Sequence, residues 1–133
     1  MLEEKVFYDE KNFEFFCPLH VEFSAEHNGK FDDENCLDNK KHMHKKWRVK
    51  LWLVSNDLNH ERVMANFGEI ERFVKEKFEG TYINELKEFK DTVATCEEIA
   101  RYLNKAIPEC IRVRIAESSD RFQLTVQKEK RDA

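Results

Sequence analysis

Five histidines occur in the chain, and two of them, His42 and His44, flank a single methionine in the stretch CLDNKKHMHKK, Cys36 to Lys46. That stretch runs into WRVKLWLV, whose alternation is that of a β-strand. Residues i and i+2 of a strand share a face, so this spacing sets two imidazoles side by side, within reach of one metal ion. Neutral imidazole suits zinc, which takes about four ligands and keeps one position open for water or substrate in catalytic sites. A third protein ligand is then needed. His27 is the first choice, because it ends HVEFSAEH, a segment able to pair antiparallel with the next strand; His20 and His60 are the other candidates. The competing reading is a solvated histidine pair in a lysine-rich stretch, and the bare motif does not separate the two. Cys36 lies six residues before His42. Beside zinc or a lysine cluster its thiol would lose its proton more readily and become a nucleophile or base; otherwise it is a loop cysteine. Lys40, Lys41, Lys45, Lys46, Arg48 and Lys50 surround the histidines, either as a phosphate-attracting rim or as a solvated charged face.

The elements that must position these residues are legible from periodicity. HVEFSAEH sets Val21, Phe23 and Ala25 against Glu22, Ser24 and Glu26, a strand with one buried face. WRVKLWLV sets Trp47, Val49, Leu51 and Leu53 against Arg48, Lys50 and Trp52, a second strand. FGEIERFVKEKF then changes to the helical period, with Phe67, Ile70, Phe73, Val74 and Phe78 as its stripe, Asn66 as cap and Gly80 as stop. An irregular stretch leads to TCEEIARYLNKAI, a second helix with Thr95 and Glu98 at capping-box spacing, a stripe of Ile99, Leu103, Ala106 and Ile107, and Pro108 as its end. IRVRI and RFQLTV alternate as two further strands joined by a turn at ESSD. The order ββααββ predicts an α+β domain: a four-stranded antiparallel sheet with both helices packed on one face. Residues 1–18 read as an aromatic-rich N-terminal arm, 19–128 as the domain and 129–133 as a polar tail.

Composition bounds the function. The 133 residues suit one domain, and 41% hydrophobic with 38% charged is a globular balance with no membrane-spanning run. The acidic start shows no secretory signal, and the four cysteines form no CxxC pair, so they read as reduced thiols of a cytoplasmic protein. A formal net charge of −4 and the lack of any groove-reading motif argue against nucleic-acid binding.

Taken in order, FSAEH, Cys-x5-His-x-His at the head of a strand, VMANFGEIERFV, ATCEE opening a helix and VRIAESSD in the last hairpin resemble the 6-pyruvoyl-tetrahydropterin synthase and 6-carboxytetrahydropterin synthase family. The resemblance runs from about His20 to Val126. It implies the tunnelling fold, zinc as cofactor and a small-molecule pterin as substrate, with service to tetrahydrobiopterin or queuosine synthesis. It also implies a homo-oligomer, a hexamer built as a dimer of trimers, with sites at subunit interfaces. Residue by residue, it makes His27, His42 and His44 the zinc ligands, with Met43 where the family has glycine. Cys36 becomes the catalytic nucleophile or base, Thr95 and Cys96 line the pterin pocket, and Glu117 anchors the pterin. A carboxylate suits that last role, since it accepts two parallel N–H bonds.

Two departures bear on activity. Where the family carries Leu-Asp-His after the first helix, with the histidine transferring protons, this chain has Phe78-Glu79-Gly80. Glu79 is then the remaining candidate base beside Cys36. Glu98 stands where the family usually has asparagine. The resemblance therefore implies either a zinc-dependent lyase acting on 7,8-dihydroneopterin triphosphate or a pterin- and zinc-binding paralogue with lost or altered catalysis.

Overall fold

A computed structural model describes residues 4–27, 42–90, 94–116 and 123–130. Cys36, Glu117 and the ESSD turn lie outside these residues, as do the side chains of His42 and His44. Four strands, β1 (Phe15–His27), β2 (His42–Ser55), β3 (Cys110–Ala116) and β4 (Leu124–Gln127), form one antiparallel sheet in sequence order. Helices α1 (Phe67–Phe78) and α2 (Cys96–Ala106) lie between β2 and β3 in the chain. This is the expected α+β arrangement.

One sheet face is apolar because the alternation demands it. Val21, Phe23 and Ala25 of β1, Trp47, Val49, Leu51 and Leu53 of β2, and Val113 and Ile115 of β3 are all buried. They meet Val74 and Phe78 of α1 and Ile99, Ala100 and Leu103 of α2 in one core. At the centre the Phe23 ring stacks on Phe78 and Trp47, with centroids 5.1 and 6.1 Å apart. Each such burial contributes roughly 1.5–3 kcal/mol, so this aromatic stack fixes how α1 sits on β1. Asn66 caps α1 through a bond from Glu69 N, and Thr95 caps α2 through one from Glu98 N, both 3.1 Å. Both caps were legible in the sequence.

Other details differ from the periodicity. Phe73 is 37% exposed and Ala106 is exposed, while Ala100 is fully buried, so both helical stripes are narrower or rotated relative to expectation. Strand β1 starts at Phe15, taking in residues assigned to the arm, and β2 starts at His42 rather than Trp47. The irregular stretch after α1 holds two short 3-10 turns, Ile83–Glu85 and Lys87–Phe89, which seat Ile83 and Phe89 in the core. The arm and tail pair with each other: Tyr8 N donates to Lys128 O, and Lys130 N donates to Val6 O.

Candidate active site at the bulged ends of the first two strands

Strands β1 and β2 pair with one constant register from Phe15↔Ser55 to Ala25↔Lys45, and then the register slips so that His27 pairs with His42. One residue of β1, Glu26, is thus matched by two of β2, positions 43 and 44, the count of a β-bulge. The slip has a chemical consequence. The core face of β2 carries odd-numbered residues, Trp47 to Leu53, so an unbroken strand would put position 42 on the opposite face. Directly paired residues share a face, and the slip therefore brings position 42 to the face that carries His27. Trp47 supports the irregularity from within: its indole N–H donates to Ala25 O at 3.2 Å.

His27 is the anchor of the site. It is 4% exposed, with its ring edge-on to Trp47 at a centroid distance of 4.7 Å. Its Nδ1 lies 2.8 Å from Ala94 O. A carbonyl can only accept, so Nδ1 carries the proton of the neutral ring and Nε2 carries the lone pair. This is the arrangement in which a second partner orients a metal-binding histidine. Ala94 immediately precedes the cap of α2, so the same bond draws Thr95, half-buried, and Cys96, 5% exposed, to the end of β1. One ligand candidate, the backbone of a second and both pocket candidates on α2 thereby converge.

Glu79 reaches the site's border differently. Its Oε2 accepts from Ser24 N at 2.6 Å, and Gly80 N donates to Ser24 O at 2.7 Å. Thr81 O accepts from Glu26 N at 2.9 Å. Residues 79–81 therefore close the outer edge of β1, where Ser24 and Glu26 face away from β2. Glu79 is exposed, and its carboxylate holds a backbone N–H. Gly80 sits at φ +72°, the left-handed conformation that ends a helix and favours glycine.

The spare histidines fall elsewhere. His20 pairs with Lys50, is exposed and lies on the sheet face away from the helices. His60 follows the far end of β2, with 89% side-chain exposure, 3.7 Å from Glu61. Among the described residues no three His, Cys, Asp or Glu side chains gather as a metal-binding group. His44 lies in β2 two residues beyond His42, while Cys36 and Glu117 lie outside the described residues. What residue spacing did not reveal was the bulge, the Ala94 carbonyl and the Ser24 anchor. The one available signal was parity, since His42 and His44 are even-numbered while the buried run from Trp47 is odd.

The described residues thus form an antiparallel sheet with two helices on one face, and His27 is held at the end of β1 where it pairs with the start of β2. The family model described as 6-pyruvoyl tetrahydropterin synthase matches residues 18–128, and the chain belongs to that family. The solved structure of Caenorhabditis elegans 6-pyruvoyl tetrahydropterin synthase is similar in fold. Its TM-score is 0.58 at 18% identity, over 85% of this chain and 94% of that one. No curated protein sequence matches the chain. Family membership supports a pterin-related, lyase-type activity. No helix among the described residues is long and apolar enough to cross a membrane.

Proposed function

We propose that the protein is a zinc-dependent pterin lyase of the 6-pyruvoyl-tetrahydropterin synthase type, acting on 7,8-dihydroneopterin triphosphate. The observation that carries this reading is the pairing of His27 with His42 across the bulge, together with the Ala94 bond that leaves the His27 lone pair on Nε2. The donor set fits zinc: neutral imidazoles, one already oriented by a backbone carbonyl. His27, His42 and His44 would hold the ion, which when bound supplies a Lewis acid for the substrate's side-chain hydroxyls. Thr95 and Cys96 would flank the pterin at the start of α2, and Glu117 would hold its 2-amino and ring N–H groups through paired hydrogen bonds. Cys36 would take the side-chain proton, with loss of inorganic triphosphate giving the pyruvoyl product; side-chain cleavage to the carboxy product is the other outcome. A homo-hexamer assembled as a dimer of trimers, working in the cytoplasm, completes the proposal.

A second reading, a pterin- and zinc-binding paralogue with lost or altered catalysis, is favoured by one observation. Glu79 spends its carboxylate on Ser24 N, and Gly80 has no proton to transfer. Incubating the zinc-loaded protein with 7,8-dihydroneopterin triphosphate and separating the products by chromatography decides between the two. Release of triphosphate with a 6-substituted pterin supports the lyase. Intact substrate that remains bound supports the paralogue, and intact substrate that never binds rejects both.

A further inference from the structure

The sheet face turned away from the helices carries a charge arrangement that the candidate active site does not use. Across it, His20, Lys50, Arg114 and Thr125 form one paired row of the sheet, and Pro18, Trp52, Arg112 and Gln127 form the next. Lys50 and Arg114 are therefore direct cross-strand neighbours, a placement of like charges that destabilises a sheet. The Trp52 ring takes up part of the field. Lys50 Nζ lies 4.5 Å from its centroid, Arg114 Cζ 5.1 Å and Arg112 Cζ 5.3 Å. A ring quadrupole attracts cations but neutralises no formal charge. Two carboxylates near this face are already engaged among the described residues: Glu10 holds Arg112 at 3.2 Å, and Glu22 holds Lys46 at 3.0 Å. Lys50 and Arg114 have no carboxylate partner among the described residues. Beside them a cavity of about 390 Å³ opens, lined by His20, Glu22, Arg48, Lys50, Arg114 and Gln123.

We propose that this face binds a small phosphate-bearing anion, seated between Lys50 and Arg114 with Arg48 and His20 at its margin. Guanidinium and ammonium groups on a rigid sheet present convergent donors to phosphate oxygens. The cavity is of a size for a compact ligand rather than a polymer. Filling it with an anion removes the like-charge conflict that the sequence otherwise builds into two central strands. The cavity lies on the sheet face opposite to that of His27, which the helices cover.

Calorimetry with inorganic tripolyphosphate on the full chain at low salt tests this. Saturable binding is expected, weakened about tenfold by Lys50→Gln and by Arg114→Gln, and weakened further by the double variant and by added salt. Lys75→Gln on α1 removes the same unit of charge from a side chain 3.3 Å from Glu71 and is expected to leave the affinity unchanged. Each single variant is expected to keep the parent's circular dichroism spectrum, which separates lost binding from lost folding. Absence of saturable heat overturns the proposal. So does equal loss in Lys75→Gln, or undiminished binding in the double variant, which would place the anion on a metal or elsewhere on the surface.

Discussion

Gly80→His puts two parts of the account to a common test. Under the proposed function Gly80 stands where a proton-transferring histidine is missing, and φ of +72° is what the chain needs to leave α1 and deliver Gly80 N to Ser24 O. Space is not the obstacle, because a Cβ at Gly80 meets nothing within 4 Å. The penalty is conformational. The left-handed region costs an L-residue roughly 1–2 kcal/mol, and histidine is among the residues enriched there, which puts it near the low end, about 1 kcal/mol. For 133 residues at about 2.1 cal/mol/K each, the unfolding entropy is about 0.28 kcal/mol/K. The expected fall in Tm is therefore about 4 °C, read by differential scanning calorimetry. Gly80→Ala should fall as far or further. If the missing proton relay limits turnover of 7,8-dihydroneopterin triphosphate, Gly80→His should also raise the rate by about 10²–10⁴-fold, the usual worth of a positioned acid–base group. Gly80→Ala should leave the rate unchanged. An unaltered Tm in both variants would refute the backbone argument. A parent enzyme already turning over at about 10 s⁻¹, with no gain from the histidine, would refute the relay argument and make Glu79 the base to test next.

Glu117→Gln should weaken the binding of a stable pterin such as biopterin by about 1.5–3 kcal/mol, the worth of a charge-assisted hydrogen bond, as read by calorimetry; equal affinity would move the pocket. Deleting Met43 should regularise the pairing, keeping His27 opposite His42 but setting His44 on the adjacent, opposite-facing position. The sheet should survive by circular dichroism while zinc affinity drops sharply. Phe78→Ala removes the α1 end of the aromatic stack at a fully buried site and should cost about 3–5 kcal/mol in denaturant unfolding. Burial pushes the Cys110 thiol from 9.0 up to about 11. The folded state therefore holds this proton more tightly than the unfolded chain, and its contribution is complete below pH 9.0 and lost as pH rises toward about 11. Stability measured against pH should decline over that window, and less so in Cys110→Ala.

The fold was legible because its signals are local. Odd–even alternation from Trp47 to Leu53, the Asn66 and Thr95 caps and Gly80 after Phe78 each state a period or a boundary without reference to the rest of the chain. The faces of the helices were less legible. Phe73 and Ala106 fit the helical period, yet what each helix covers depends on where the Phe23–Phe78 stack locks it, a tertiary fact. The spacing of the histidines was legible, but the register that pairs His27 with His42 was not. The one-residue slip between Ala25 and His27 is set by pairing across two strands and by the Trp47 indole, and neither is written in the His42–His44 spacing. Glu79 read as a candidate base from its position alone, whereas its bond to Ser24 N is a long-range contact that closes a strand edge.

The central claim is that the bulge gathers His27, His42 and His44 around one zinc ion. Metal analysis of the purified protein beside His27→Ala and His42→Ala addresses it most directly. The account predicts about one zinc per chain in the parent and little in either variant, with the fold retained. Equal zinc in all three proteins, or none in the parent after loading, would contradict it.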